Sequence, residues 1–230
     1  MDFFPLYNSL RIAIISSIIT FFLGIFCAYE IKRLPRTLKG VLDVFLTLPL
    51  VLPPTVIGFF ILKSLGPNSG LGSLIQSLSG TSVVMKWYSA IFATVIVTFP
   101  LMYRTARGAF EAFDEDLKYA AQTLGKSNKW IFWRLYLPNS KSGILAGLVL
   151  AFARALGEYG ATSMVAGYTP GKTATISTTV YQLWRTGKDF EAYSWVMINV
   201  LISLLVLLCI NILENREQTK LKVEKAGDFL

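Results

Sequence analysis

The most informative absence in this 230-residue sequence is histidine, which does not occur at all. Without an imidazole, the chain lacks the most usual general base and the most usual protein ligand for zinc and copper. The two cysteines, Cys27 and Cys209, lie in separate apolar runs, so they give no basis for a disulfide framework and are predicted to be small core residues. We therefore predict no catalytic residue and no metal site in this chain.

Charge is also scarce, at 16% of residues against about 25% in a soluble domain, whereas hydrophobic residues reach 53%. The charges cluster between long uncharged stretches, as expected where a charge at the bilayer centre costs about 2.5–3.5 kcal/mol. The net charge of +8 would suggest nucleic acid as the partner of a soluble protein. Here the basic residues lie in loops between apolar runs, so we predict an all-α, multi-pass protein of the cell membrane that contacts lipid and binds no nucleic acid.

Five apolar runs approach the length needed to cross a bilayer, which is about 20 residues. They are Leu10–Ile31, Val41–Leu62, Tyr88–Tyr103, Gly143–Gly167 and Ser194–Leu213. The second run contains three prolines, so we expect a kinked or interrupted helix packed inside the bundle. The Gly/Ser-rich segment 66–86 is predicted to be a surface helix or loop, or a re-entrant piece that would raise the number of spans from five to six.

The basic residues also predict an orientation. They are concentrated in segments 32–39 and 104–141 and in the tail after Leu213, and five spans would place these segments on one side. The positive-inside rule makes that side cytoplasmic, with the N-terminus outside. We therefore predict one transmembrane domain over residues 1–213, with a long cytoplasmic loop at 104–142. The cytoplasmic tail, 214–230, is too short to fold by itself.

A short helix is predicted in the middle of the long loop. It begins around Asp114, because acidic side chains are favourable at the positive end of a helix dipole. Its apolar stripe consists of Leu117, Ala120, Ala121 and Leu124. The stripe fits a groove of another protein or the chain's own membrane domain, since it indicates only that a surface is buried.

A glycine separates this helix from a second one. Gly125 is predicted to end the first helix, because glycine adopts the left-handed conformation without a steric penalty. Ser127 can cap a second helix, Asn128–Tyr136, which we expect to end before Pro138. Two short helices would thus meet at Gly125 on the cytoplasmic face.

The same loop resembles a cytoplasmic motif of bacterial ABC importer permeases. That motif has the form EAA, three residues, Gly, nine residues, Ile, one residue, Leu-Pro. The matching residues are Tyr119, Ala120, Ala121, Gly125, Leu135, Leu137 and Pro138. Tyr119 replaces the family's Glu and Leu135 replaces its Ile. The resemblance implies that a separate ATPase grips residues 116–133, which also include Asp116, Leu117 and Leu124.

The fourth apolar run resembles the oxyanion branch of these permeases, which serves molybdate, tungstate and sulfate. The similar segments are FARALGEYG at 152–160, followed by Ala161-Thr162, and PGKT at 170–173; the molybdate permeases are the best match. The resemblance implies a pore-forming subunit acting as a homodimer, with two cytoplasmic ATPase subunits and an extracytoplasmic oxyanion-binding protein. ATP and Mg would bind to the ATPase, and no cofactor to this chain.

Arg154 and Glu158 stand four residues apart in this run, so they share a helix face and can pair. An ionisable residue inside a membrane span suggests a functional site, and Arg154 could attract a dianion into the pathway. Alternatively, the pair is structural, which we favour because a conducting pathway needs weak binding sites. Gly157 and Gly160 are predicted to be close-packing positions between helices.

Residues 166–173, AGYTPGKT, are similar to a phosphate-binding loop, but Ala166 replaces the first glycine and no buried strand precedes them. We therefore predict no nucleotide there, and Lys172 could instead help a binding protein dock or attract an anion. A different class, a membrane-embedded enzyme such as a lipid-modifying transferase, would need clustered acids or metal ligands. The one acidic cluster, 114–116, fits a helix start better.

Overall fold

The structure is a computed structural model that describes residues 2–227, with side chains described up to residue 208. The predicted tail, 214–230, and Cys209 lie outside the residues with described side chains. The described range is helical, as predicted, and contains no strand. Its elements are α1 (Phe4–Lys32), α2 (Arg36–Val51), α3 (Pro54–Leu65), α4 (Gly70–Ser79), α5 (Trp87–Glu111), α6 (Glu115–Thr123), α7 (Asn128–Ile131), a π-helical turn (Phe132–Tyr136), α8 (Leu137–Asn139), α9 (Lys141–Leu156), α10 (Gly160–Val165), α11 (Ile176–Arg185) and α12 (Asp189–Gly227).

Three helices in the described range are long and apolar enough to cross a membrane, namely Phe4–Lys32, Trp87–Glu111 and Asp189–Leu208. They contain, in whole or in large part, the first, third and fifth predicted runs. A fourth candidate is the bent pair formed by α2 and α3. Helix α5 continues to Glu111, so the first part of the predicted loop 104–142 is an extension of this helix.

The centre of the molecule is formed by α1, α5 and α9, which approach one another closely. Glycines make this possible: a Cβ at Gly24 would lie 2.6 Å from Met102 Cγ, and one at Gly147 would lie 2.1 Å from Thr105 Oγ1. Small residues are the usual means of helix association in a membrane, where van der Waals contact replaces the hydrophobic effect as the driving force.

The second predicted run is interrupted, as expected, because α2 and α3 meet at a bend of 108° around Leu52 and Pro53. The expectation that it packs inside the bundle is wrong for its first half. None of the residues of α2, all of them described, is buried. Helix α3 does bury Ile57, Gly58 and Ile61.

Leu42 and Leu46 of α2 pack against the core only in part, and polar side chains supply further contacts that hold this helix. Asp43 pairs with Arg107 of α5 and accepts a hydrogen bond from the Tyr103 hydroxyl. Lys39 pairs with Glu111, which also accepts from Arg107 Nε at 3.0 Å. Ion pairs therefore add to a small, half-buried apolar contact along this helix.

The fourth predicted run, Gly143–Gly167, is not one continuous helix. Helix α9 ends at Leu156, and α10 begins at Gly160 after a short non-helical stretch, 157–159. The Glu158 carboxylate stabilises the break, because its Oε1 accepts a hydrogen bond from the amide of Ala161 at 2.8 Å. A backbone amide that regular helix geometry would leave unpaired is thus satisfied by a side chain.

Segment 66–86 contains a short exposed helix, α4, which agrees with the predicted surface helix. Its start is capped by Ser69, whose hydroxyl accepts from the amide of Gly72 at 2.8 Å. Its end is Gly80, with a φ of 71° that favours glycine. Three leucines on this helix, Leu71, Leu74 and Leu78, remain exposed.

The second loop helix was expected to end before Pro138, and this is wrong. The helical path continues from α7 through the π-helical turn and includes Pro138 in α8. A proline inside an α-helix has no amide for the carbonyl four residues earlier and collides with it. The π-helical turn accommodates Pro138, because its hydrogen bonds span five residues instead of four.

Candidate functional site

The centre of the long loop is helix α6, whose ends have the predicted chemistry. Asp114 caps its start, where the carboxylate accepts from the amide of Asp116 at 2.9 Å. At its end Gly125 has a φ of 72°, and the amide of Lys126 donates to the carbonyl of Ala121 at 3.0 Å. This left-handed turn closes α6 because it satisfies the last carbonyls of the helix.

The next helix, α7, starts at Asn128, three residues after the glycine, and its cap is Ser127. The Ser127 hydroxyl accepts from the amide of Trp130 at 3.3 Å, which is the predicted cap. The direction of the chain therefore changes within residues 124–127, and this turn depends on the positive φ of Gly125.

The apolar stripe of α6 faces mostly away from the rest of the chain. Ala121 is buried, at 7% exposure, and contacts the core. Its neighbours are exposed, at 48% for Leu117, 56% for Tyr119 and 77% for Leu124, and Ala120 is exposed as well. Of the two alternatives for this stripe, packing on the chain's own membrane domain is wrong for all but Ala121. The stripe is available to another molecule.

A group of charged and polar side chains fixes α6 to the bundle, and we call Lys32, Glu115 and Tyr136 the Lys32 cluster. Lys32 Nζ, at the end of α1, lies 2.6 Å from Glu115 Oε1 and donates to the carbonyl of Phe110 at 2.6 Å. The Tyr136 hydroxyl donates to Glu115 Oε1 at 2.7 Å and accepts from Lys32 Nζ at 3.2 Å. Lys118 pairs with the other Glu115 oxygen at 2.8 Å. The cluster thus joins α1, α6 and the π-helical turn.

The ionisation of Glu115 follows from these contacts. Burial alone would raise the pKa of its carboxyl group, but the hydrogen bonds from Lys118, Lys32 and Tyr136 lower that pKa from 4.5 to about 2. Burial and the Glu115 carboxylate both raise the pKa of Tyr136. At neutral pH Glu115 is therefore a carboxylate and Tyr136 a neutral phenol, each in the state its neighbours favour.

The last residues of the predicted motif serve to anchor the loop. Leu135 and Leu137 are half-buried and pack against the core around α1 and α5. Pro138 is exposed. The structure thus divides the motif into a part that is exposed except for Ala121, from Tyr119 to Gly125, and a part that packs on the bundle through Leu135 and Leu137.

Arg154 and Glu158 form the predicted pair across the break between α9 and α10. Arg154 Nη1 lies 2.7 Å from Glu158 Oε2, and the Glu158 side chain is 1% exposed against 34% for that of Arg154. Because Glu158 also caps α10 through Ala161, the pair has a structural role whatever else it does. The part of the Arg154 side chain that faces away from Glu158 is exposed to solvent.

The two glycines beside the pair differ. A Cβ at Gly160 would lie 3.0 Å from Pro54 Cβ and 3.2 Å from the amide nitrogen of Thr55, so Gly160 is a close-packing position. A Cβ at Gly157 would meet nothing nearer than the Ala153 carbonyl at 4.0 Å among the described atoms. The packing prediction for Gly157 is therefore wrong, and this glycine is the residue that ends α9.

The loop similar to a phosphate-binding motif is tied to α1 by hydrogen bonds. The Thr173 hydroxyl accepts from the amide of Thr169 at 2.9 Å, and the Thr173 side chain is buried. Asn8 donates to the carbonyls of Thr173 and Ala174 at 3.2 and 2.9 Å. Lys172 is exposed at the loop surface. The threonine that would bind a metal ion in a nucleotide site is thus used to fold this loop.

Sequence reasoning missed Lys32 and Tyr136, and used Glu115 only as part of a helix start. No pattern connects Lys32 with a tyrosine more than a hundred positions away, because the contact depends on how α1 packs against the loop. Asp43 was also missed, although it did give a signal. It is an ionisable residue within a predicted span, which suggests a functional or structural partner.

A fold built of many helices, several of them long and apolar enough to cross a membrane, defines a class of protein, the polytopic helical membrane proteins. Comparison with known families identifies the group within this class. Residues 20–219 match the family described as binding-protein-dependent transport system inner membrane component, and the chain belongs to that family.

Named relatives cover most of the chain. It is 37% identical over 201 residues to the molybdenum transport system permease protein ModB of Escherichia coli, covering 87% of this chain and 88% of that protein. The protein of the same name from Haemophilus influenzae is 36% identical over 229 residues, covering 99% of this chain and all of the relative. The sulfate transport system permease protein CysW of Synechococcus elongatus is 33% identical over 208 residues, covering 90% of this chain and 72% of the relative.

Two solved structures have the same fold at low sequence identity. One is a bacterial ABC transporter involved in the import of alginate, with a TM-score of 0.75, 19% identity, and coverage of 93% of this chain and 78% of that one. The other is the MetNI methionine ABC transporter in an inward-facing conformation, with a TM-score of 0.73, 13% identity, and coverage of 92% and 94%. The chain thus has the fold of an ABC transporter permease.

Proposed function

We propose that this chain is the pore-forming permease subunit of an ATP-driven importer for a tetrahedral oxyanion, and that the oxyanion is molybdate. The names of its molybdenum and sulfate relatives support the substrate class. The exposed stripe on α6, held firmly by the Lys32 cluster, is the observation that carries the coupling role. In the described part of the chain, no group of three or more His, Cys, Asp or Glu is placed to hold a metal ion.

The proposed partner on the cytoplasmic side is an ATPase that binds ATP and Mg. Two copies of it would grip residues 116–133 of two permease copies, with the stripe around Leu117 and Leu124 in a groove of each ATPase. When ATP draws the ATPases together, α6 moves with them. The Lys32 cluster then transmits this movement to α1, because its ion pairs connect α6 to the end of that helix.

The proposed arrangement in the membrane is a homodimer with five spans in each copy. The N-terminus would be outside and the tail cytoplasmic, and an extracytoplasmic binding protein would deliver the oxyanion to the outer face. ATP and the loaded binding protein would shift the permease between inward-open and outward-open forms, since each binds the two forms with different affinity.

We place the oxyanion pathway beside the two helix breaks. The breaks touch each other, because a Cβ at Gly160 would lie 3.0 Å from Pro54 Cβ. Non-helical backbone is tolerated at membrane depth where it is buried in protein or lines a polar cavity, and transporters often bind substrate at such interrupted helices. Arg154 lies next to this point, and its pairing with Glu158 makes it a weak anion site that still allows release.

The coupling role can be tested at Gly125, where the structure offers a matched pair of variants. A Cβ has free space there, but the φ of 72° strains any β-branched residue. Gly125→Asn should keep the turn, since asparagine tolerates this conformation, whereas Gly125→Val should distort it. The measurements are recovery of the ATPase with the affinity-purified permease and uptake of radiolabelled molybdate by cells.

We expect Gly125→Val to lose most of the ATPase and of the uptake, and Gly125→Asn to retain both. Normal ATPase recovery and uptake in the valine variant would contradict the docking role. Competition by excess tungstate and sulfate in the same uptake assay tests the substrate. Sulfate that competes as well as tungstate would reject molybdate as the preferred anion and leave the importer assignment standing.

A further inference from the structure

An apolar groove of about 450 Å³ lies between α1 and the π-helical turn. Its walls include Phe22, Phe26, Phe132 and Trp133. Three of these side chains are widely exposed, at 65% for Phe22, 64% for Phe26 and 65% for Trp133. The groove is therefore an open surface that exposes aromatic rings and has no covering element among the described residues.

The groove is continuous with a face of α1 that carries no other element. Ile14, Ile18, Phe22 and Phe26 follow one another at intervals of four residues, and all four are exposed. Residues at this spacing lie on one helix face. Because α1 is long and apolar enough to span a membrane, this face is suited to hydrocarbon, and the groove lies at the end of it.

The other end of the groove is positively charged. Arg33 and Lys129 line it together with a single carboxylate, that of Glu30. The pair between Arg33 and Glu30 is long, at 3.4 Å, and both side chains are about half exposed, so it holds the guanidinium weakly. Among the side chains that the structure describes, none pairs with Lys129. Two cations, one only weakly paired, thus stand beside an aromatic surface.

We infer that this groove binds a phospholipid with an anionic headgroup. An acyl chain fits the aromatic walls, and the phosphate fits Arg33 and Lys129, which offer a planar pair of donors and a point charge. Basic pockets between helices beside the cytoplasmic leaflet are the usual sites of such headgroups, and tryptophan is enriched at that level of the bilayer. The combination of an apolar groove and excess positive charge selects this ligand over a neutral lipid.

The position of the groove gives the bound lipid a role. Phe132 and Trp133 belong to the π-helical turn that also contributes Tyr136 to the Lys32 cluster. The Phe132 ring lies 4.5 Å from the ring of Tyr29 on α1, so the lipid would bridge the same two elements. A lipid in this groove would therefore brace the docking loop against α1.

The test uses the purified full-length permease in mixed micelles containing either palmitoyl-oleoyl phosphatidylglycerol or palmitoyl-oleoyl phosphatidylcholine. Native mass spectrometry would count the lipids that remain bound. We expect the native protein to retain phosphatidylglycerol in preference to phosphatidylcholine. Lys129→Ala should lower the affinity for phosphatidylglycerol about fivefold, which is the effect of one basic residue near an anionic surface. The double variant Arg33→Ala, Lys129→Ala should lose about 25-fold.

Lys126→Ala is the matched control, because Lys126 carries the same charge three positions away, stacks on Trp130 and does not line the groove. It should change lipid affinity by less than twofold. Phe26→Ser should weaken the binding of both lipids, because it removes part of the apolar wall and leaves the charge unchanged.

Equal retention of the two lipids, or an equal loss in Lys126→Ala and Lys129→Ala, would overturn the proposal. Lys129, Phe132 and Trp133 also lie at the end of segment 116–133, which the proposed ATPase would grip. Displacement of the lipid by added ATPase subunit would therefore overturn the lipid proposal, by assigning the groove to that protein.

Discussion

Two groups of charged side chains stabilise this molecule at points where helices end, and they do so differently. At the break between α9 and α10, Arg154 and Glu158 are four residues apart, and the carboxylate is almost fully buried. In the Lys32 cluster the partners come from α1, α6 and the π-helical turn, and Glu115 is 36% exposed. The first group stabilises a break within one segment inside the bundle, and the second group connects three separate elements at the edge of the bundle.

The difference indicates which of the two can move. Moving Arg154 away would leave the buried Glu158 carboxylate without its charge partner, so the break is held in one geometry. A partly exposed cluster can separate and let water replace its hydrogen bonds at a lower cost. We expect the break to act as a fixed part of the pathway and the Lys32 cluster to act as the adjustable connection to a moving partner.

The largest effect is expected at the break. Glu158→Ala removes both the partner of Arg154 and the cap of α10, and should destabilise the protein by about 2–3 kcal/mol. Glu158→Gln keeps an oxygen that can accept from the Ala161 amide, so it should lose less stability. The midpoint of thermal unfolding in detergent measures both. Equal loss in the two variants would assign the whole effect to the charge and none to the cap.

The glycines beside the break provide a second, smaller contrast. Gly160→Ala places a methyl group 3.0 Å from Pro54 Cβ and should cost about 1–3 kcal/mol through overpacking. Gly157→Ala meets open space and should stay within about 0.5 kcal/mol of the native protein. The same unfolding midpoint tests the pair. If Gly157→Ala were the more harmful variant, the described contact between the two breaks would be wrong.

The Lys32 cluster should respond more locally. Lys32→Met removes the donor to Glu115, Tyr136 and the Phe110 carbonyl, and should weaken the attachment of α6 by about 1–2 kcal/mol. Lys118→Met removes a pair within α6 itself and should cost about 0.3–0.5 kcal/mol. Hydrogen exchange of the α6 amides would report the change, with exchange about 5–30-fold faster in Lys32→Met. Similar rates in the two variants would show that Lys32 does not hold α6.

The smallest effect is a pH dependence confined to acid. Because the folded protein lowers the pKa of Glu115 from 4.5 to about 2, the stabilisation from its charge is complete above pH 4.5 and is lost as the pH falls towards 2. The carbon-13 chemical shift of the Glu115 carboxyl group, followed from pH 7 to pH 2, measures this titration. A midpoint near 4.5 would mean that the cluster does not persist in solution.

Much of the architecture could be predicted because it depends on local chemistry. The start of α6 at Asp114, its end at Gly125 and the cap at Ser127 follow from residues within a few positions of each other. The interruption near Pro53 follows from a missing amide. Long apolar runs likewise predict α1, α5 and α12 through their length alone.

The parts that could not be predicted depend on contacts between distant segments. The break at Gly157 requires the Glu158 side chain to replace a backbone partner, and the exposure of α2 follows from its polar attachment to α5. Lys32 was counted only as a charge that sets topology, whereas the fold brings it to Glu115. The apolar stripe on α6 was compatible with two partners, and the exposure of Leu117, Ala120 and Leu124 in the structure excludes the chain's own membrane domain for all but Ala121.

The sharp bend between α2 and α3 limits how far this pair of helices can extend across a bilayer. At about 1.5 Å per residue, the two arms are roughly 24 and 18 Å long, and a bend of 108° leaves their far ends only about 25 Å apart. A hydrocarbon layer is about 30 Å thick, so this pair reaches short of one surface. Helix α4 would then start below the headgroups and lie along the bilayer surface, with its exposed leucines at positions 71, 74 and 78 in contact with the acyl chains.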